Sequence, residues 1–75
     1  MATKHDDPCR DRAGDTEPIF TLRAQDELAP EVVALWATLA ARAGTPHEKV
    51  RGAVEVSMAM HRWQRKHLDR VKVPD

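Results

Sequence analysis

The chain has 75 residues, of which 41% are hydrophobic and only 4% aromatic, and its twelve Lys and Arg balance twelve Asp and Glu. This length excludes a multi-domain protein, and the zero net charge gives no indication of a strongly basic nucleic-acid binder or of an acidic solvating tail. No apolar run approaches the ~20 residues of a membrane span. The first residues lack the apolar segment of a secretory signal, so we expect a cytoplasmic protein with no membrane contact.

Residues 1–17 are predicted to form a disordered tail, and residues 18–75 the domain proper. After Met1 the tail contains no aliphatic side chain larger than alanine. It therefore buries too little apolar surface to offset the ordering entropy of its backbone, about 1–2 kcal/mol per residue. Cys9, the only cysteine, cannot form an internal disulfide, and we interpret it as an exposed thiol.

An extended arm is predicted to follow the tail, because residues 19–22 favour β structure and are bounded by Pro18 and a polar run. We expect Phe20 and Leu22 to anchor this arm on helices. The alternative is a strand paired with another copy of the chain. The next acidic pair, at residues 26–27, suits the start of a helix.

The first helix is predicted over residues 30–43. Pro30 and Glu31 suit its first turn, and Gly44 suits its C-terminal end. Apolar residues at helical spacing predict one packing face. Its members are Val32, Leu35, Trp36, Leu39, Ala40 and Ala43. The remaining positions are mostly small rather than polar, which indicates burial on more than one side.

The second helix is predicted over residues 46–69. Thr45 and Glu48 form a capping-box pattern around Pro46, with Thr45 as the N-cap. An apolar stripe then recurs at helical spacing. Its members are Val50, Ala53, Val54, Ser57, Met60, His61, Gln64, Leu68 and Val71.

Three residues inside this helix invite a specific interpretation. We expect Ser57 to bond the carbonyl four residues before it, and His61 to be a hydrogen-bonded core histidine. Gly52 costs about 1 kcal/mol relative to alanine in a helix, which suggests the close approach of another backbone.

The predicted fold is all-α: an antiparallel helical hairpin with an extended N-terminal arm, completed by homo-oligomerisation. A domain of this size buries only ~60% of its unfolded surface, so one hairpin does not cover two wide apolar faces. We expect a dimer or a higher oligomer. The predicted interface residues are Leu35, Trp36, Leu39, Val54 and Met60.

Patterns typical of catalysis are missing from the sequence. The four histidines lack the spacing of a zinc site, the three glycines are too scattered to hold a phosphate, and there is no nucleophile elbow. We therefore expect a protein that is not an enzyme and that uses no metal and no cofactor.

The C-terminal segment at residues 61–72 is the one group of residues in the sequence whose side chains suit the binding of a ligand. It holds five Lys or Arg against one Asp. The predicted binding residues are Arg62, Trp63, Lys66, His67 and Arg70. On a continuous helix three of these cations share one line beside an aromatic ring, a pattern that suits an acidic protein surface, a phosphorylated ligand or nucleic acid. The competing interpretation is a solvated helix end, where cations interact with the helix dipole.

The residues at 20–26, at 29–36 and at 72–75 resemble short uncharacterised open reading frames of bacteriophages and prophages. The resemblance covers residues 18–75. It implies a phage accessory protein in the host cytoplasm that blocks a host factor or sequesters a nucleotide signal.

The sequence thus favours a small non-enzymatic, self-associating binding protein, with a phage-type inhibitor of a host factor as its concrete form. The alternative is a nucleic-acid- or nucleotide-binding regulatory module that uses the basic helix end. A third interpretation is a structural part of a virion. The salt dependence of binding distinguishes the first two interpretations. The affinity for a polyanion falls steeply with salt, whereas the affinity of an apolar interface does not.

Overall fold

The computed structural model describes residues 13–73. Helix α1 spans Ala29–Arg42, helix α2 spans His47–Lys66, and a short 3-10 helix spans Leu68–Arg70. The two long helices pack against each other, and their short connection makes them an antiparallel hairpin. No strand is present between residues 13 and 73, so the all-α prediction is confirmed.

Most of the predicted tail lies outside these described residues, and so does Cys9. Neither long helix is long and apolar enough to cross a membrane.

Helix α1 begins one residue earlier than predicted, because Asp26 organises the turn before it. The Leu28 N–H donates to the Asp26 carboxylate at 2.8 Å, and the Ala29 N–H donates to the Asp26 carbonyl at 3.0 Å. A short polar side chain that bonds the backbone two residues on is a standard turn former. The helix-start role predicted for Asp26 is therefore confirmed.

The end of α1 is set by Gly44, whose φ of 86° lies in the left-handed region that glycine tolerates. The Thr45 N–H donates to the Ala40 carbonyl at 3.0 Å, and the Gly44 N–H donates to the Ala41 carbonyl at 3.2 Å. These two bonds form a Schellman motif, which satisfies carbonyls that the helix itself leaves unpaired. The predicted role of Gly44 is thus confirmed.

Helix α2 begins differently from the prediction. Pro46 is the N-cap, with extended torsions of −52° and 137°, and no side chain makes a capping hydrogen bond. The Pro46 carbonyl accepts the N–H groups of Lys49 and Val50. Because the helix starts one residue late, Thr45 is out of capping register, and the predicted capping box is wrong.

The hairpin packs through small side chains. On α1, Pro30 is fully buried, and Ala37 and Ala40 are only 3% and 8% exposed. Opposite them, the buried Ser57 of α2 donates its hydroxyl hydrogen to the Pro30 carbonyl at 2.9 Å. The expected bond of Ser57 to its own helix is therefore wrong. Small residues let the two backbones approach closely enough for a serine hydroxyl to join them.

The opposite side of α1 carries the large apolar residues. We call this side the outer face, and its members are Leu28, Val32, Leu35, Trp36 and Leu39, which are 45–57% exposed. In a single copy of the chain the large members of the predicted packing face are therefore exposed, and only Ala40 of that set is buried. The physical reason is that the smaller side of α1 permits the closer approach to α2.

Polar contacts join the segment before α1 to the rest of the hairpin. The Gln64 side-chain amide donates to the carbonyls of Ala24 and Asp26, both at 2.9 Å. Lys72 forms an isolated parallel bridge with Asp26, so residues 25–27 pair with the returning C-terminal segment. These contacts place the two ends of the domain side by side.

Two predicted contacts are not formed among residues 13–73. Phe20 is 86% exposed and does not anchor the segment before α1, whereas Leu22 is half-buried. At Gly52 an added Cβ meets no atom within 4 Å. The close backbone approach expected at Gly52 is therefore wrong within a single copy of the chain.

Candidate binding groove at the basic end of helix α2

The basic end of α2 does not continue as one helix. The α-helix ends at Lys66, and His67 leaves helical geometry with torsions of −135° and 49°. Arg70 lies in the 3-10 helix that follows. The predicted single line of Arg62, Lys66 and Arg70 is therefore broken, because it requires an unbroken α-helix through residue 70.

Trp63 is the centre of a compact cluster at the point where the chain leaves α2 and turns back. The His67 ring stacks on it with ring centroids 4.4 Å apart and ring planes at 24°. The His67 Nδ1 lies 2.9 Å from the Trp63 carbonyl, and the Arg70 guanidinium carbon lies 5.4 Å from the indole centroid. The ring surface that was predicted to stack on a ligand is thus engaged inside the chain.

The remaining predicted cations, Arg62 and Lys66, are both exposed but serve different surfaces. Arg62 lines an open groove beside α2, whereas Lys66 does not. The structure therefore separates the five predicted binding residues into an internal cluster, one groove residue and one cation outside the groove.

This groove, which we call the basic groove, has a volume of about 580 Å³. It lies between α2, the 3-10 helix and the residues just before α1. Its lining residues are Glu27, Met58, His61, Arg62, Gln64, Arg65, Leu68 and Val71.

The basic groove combines apolar and cationic side chains. Met58 and Leu68 are 53% and 76% exposed and line the same groove. Apolar residues that are exposed together in one patch mark interaction sites, whereas scattered ones do not. Arg62 and Arg65 line the same groove, and among residues 13–73 Glu27 is the one carboxylate that lines it. The surface therefore offers apolar contact and an excess of positive charge in one place.

Sequence reasoning missed most of this groove. His61 was expected in the core, but it is exposed and lines the groove. Arg65 and Met58 were not among the predicted binding residues. Helical periodicity shows that residues 58, 61, 62 and 65 share one side of α2. The other wall is formed by Leu68 and Glu27. They come together because the helix breaks at His67 and the C-terminal segment then pairs with residues 25–27.

The five residues predicted for an oligomer interface also separate. Leu35, Trp36 and Leu39 lie on the outer face of α1. Val54 is 42% exposed on the other helix, and Met60 is half-buried there. The five residues therefore lie on both helices of the hairpin, and their shared interface stays a prediction.

Between residues 13 and 73, no group of three or more His, Cys, Asp or Glu side chains is placed to hold a metal ion. Comparisons with protein-family models, with curated proteins and with solved structures give no match.

Proposed function

We propose that the protein is a non-enzymatic binding protein that recognises an acidic segment of a partner protein through the basic groove. It acts by occupying that segment and blocking its other contacts. In the phage setting that the sequence resemblance implies, the partner is a host factor. The observation that carries this proposal is the presence of two arginines and exposed apolar residues in one groove.

The chemistry of the groove fits an acidic protein segment. A guanidinium group binds a carboxylate through two parallel hydrogen bonds, and arginine is frequent at the centres of protein interfaces. Met58 adapts its unbranched side chain to irregular apolar surfaces. Arg62 and Arg65 would bind carboxylates of the partner while Met58 and Leu68 cover its apolar side chains.

The openness of the groove favours a protein over a small molecule. Six of the eight lining residues are exposed, and only Gln64 and Val71 are half-buried. Pockets for small molecules usually bury 70–90% of the ligand surface in a concave site. A shallow groove of this kind is better suited to one face of a peptide or a helix.

The second candidate function is a nucleotide- or nucleic-acid-binding regulatory module, and the same two arginines support it, because their geometry also matches phosphate. The Trp63 cluster weighs against it. Sequence-tolerant binding of single strands relies on aromatic rings that stack on bases, and the Trp63 ring already contacts His67 and Arg70.

Fluorescence anisotropy with three labelled probes tests the proposal. Two are short amphipathic peptides with the same leucine positions, one carrying glutamates and the other lysines. The third is a thymidine oligonucleotide. We expect the glutamate peptide to bind at least about tenfold more tightly than the lysine peptide, a difference of about 1.4 kcal/mol. Preferential binding of the oligonucleotide, with a steep loss in salt, would instead establish the second candidate.

Matched variants locate the binding surface. The double variant Arg62→Glu/Arg65→Glu should abolish binding of the glutamate peptide, because both side chains line the groove. Lys66→Glu is the control: it is exposed on the same helix but does not line the groove. Equal losses in both variants would show that only the general positive charge of the helix end matters, and the groove would not be the site.

A further inference from the structure

The outer face of α1 has the pattern of a helix–helix seam. Leu28, Val32, Leu35 and Leu39 follow one another at spacings of four, three and four residues, which is the spacing of a coiled-coil stripe. Trp36 lies beside this stripe and is 51% exposed. The hydrophobic residues that the described hairpin buries fully are alanines and Pro30. The largest apolar side chains of α1 are therefore left half-exposed by a single copy.

The two charged residues of α1 frame this stripe. Glu31 lies in the first turn and Arg42 in the last, and both are exposed. Eleven residues separate them, which corresponds to about 16 Å along the axis and a rotation of about 20° around it. They therefore lie on the same edge of the outer face. Their midpoint is level with Trp36 along the helix axis, and Trp36 lies on the other edge of the stripe.

We infer that the outer face binds a second copy of this chain, with the two α1 helices antiparallel about a two-fold axis near Trp36. In this arrangement Glu31 of each copy faces the partner's Arg42, so the charges at both ends of the interface are complementary. A two-fold interface has to be complementary to itself. The edge that carries Glu31 and Arg42 meets this condition, because it holds one charge of each sign. Parallel α1 helices would instead place Glu31 level with the partner's Glu31 on opposite edges of the interface, and no opposite charges would pair.

The dimer goes beyond the proposed function and does not depend on it. The basic groove is lined by no residue of the outer face, so the dimer and the proposed binding site use different residues. The four long helices then lie side by side, with the two α1 helices at the centre. This arrangement accounts for a central helix that is apolar or small on nearly all sides.

Sedimentation velocity over a concentration series tests the inference, together with a charge-reversal cycle. The wild-type chain should sediment as a dimer, at twice its mass of 8.5 kDa. Glu31→Arg alone and Arg42→Glu alone should each raise the dimer dissociation constant about tenfold, because each places like charges at both ends of the interface. The double variant Glu31→Arg/Arg42→Glu should restore the wild-type constant.

The double variant also separates association from helix stability. Both substitutions oppose the dipole of α1, so an effect on the helix alone would make the double variant the weakest associator. Only complementary pairing across an antiparallel interface predicts that the double variant regains the wild-type dissociation constant. A wild-type monomer over the whole series, or a double variant no better than either single variant, would overturn the inference.

A second pair of variants maps the face. Leu35→Glu should raise the dissociation constant more than about a hundredfold, because it places charge at the centre of the seam. Val54→Glu is the control, since Val54 is similarly exposed but lies on α2. If Leu35→Glu fails to fold, the charge-reversal cycle still decides, because Glu31 and Arg42 are exposed positions. Equal losses at Leu35 and Val54 would contradict the proposed interface.

Discussion

The two sides of helix α1 differ in a way that hydrophobicity alone does not explain. The inner side, with Pro30, Ala37 and Ala40, is buried against α2. The outer face carries Leu35 and Trp36, which are much larger and would gain more from burial, yet they are 57% and 51% exposed. The side with less apolar area is thus the side that forms the hairpin.

The comparison teaches that backbone proximity decides which side packs within one chain. Small side chains bring the helices close enough for Ser57 to bond the Pro30 carbonyl at 2.9 Å, a contact that large residues would prevent. The large residues then remain available for another molecule. Inner residues should therefore control folding, and outer residues should control association.

The largest expected effect comes from enlarging the inner side. Ala37→Leu should destabilise the fold by about 3 kcal/mol, because it forces the helices apart where Ala37 is 3% exposed. Ala34→Leu is the matched control, an exposed position on the same helix, and should change stability by less than about 0.5 kcal/mol. Urea unfolding followed by circular dichroism measures both, and similar losses would contradict the distinction between the two sides.

A smaller effect is expected at Gln64, which joins α2 to the segment before α1. Gln64→Glu replaces a donor amide with an acceptor that faces two carbonyls, at a cost of about 2 kcal/mol. Hydrogen exchange should show lost protection at the amides of Glu27 and Lys72, which bond across the two ends of the domain. Retained protection there would show that Gln64 does not hold these ends together.

The variant Ser57→Ala tests the hydrogen bond between the inner side of α1 and α2. It removes the buried bond between the helices and should cost about 1 kcal/mol. Thr38→Ala is the control, because the Thr38 hydroxyl also donates to a carbonyl, that of Ala34, but in an exposed position on its own helix. Chemical denaturation should show no more than a few tenths of that loss for Thr38→Ala. An equal loss in both would mean that the contact between helices is not special.

The smallest effect has the opposite sign. Gly52→Ala should stabilise the protein by about 0.5–1 kcal/mol, because alanine favours the helix and its Cβ meets open space. Thermal melts should show an increase of a few degrees, with no change in oligomeric state. Destabilisation, or a loss of association, would place Gly52 at an interface outside the single hairpin.

The candidate site shows where sequence reasoning reaches its limit. Trp63, His67 and Arg70 were grouped correctly as neighbours, but as ligand-binding groups. The break in the helix at residue 67 turns them toward one another instead. A helical projection cannot show this, since it assumes that the helix continues.

The two long helices and the turn between them were determined by sequence alone, whereas the end of α2 at Lys66 was not. Gly44 and Pro46 restrict the backbone at their own positions. They therefore end one helix and begin the next independently of the rest of the chain. Only the tertiary structure decided which side of α1 packs, what Ser57 and Gln64 bond, and how Arg65 and Leu68 come to line one groove. These features depend on how closely two backbones approach and on where the chain returns, and no local pattern encodes those distances.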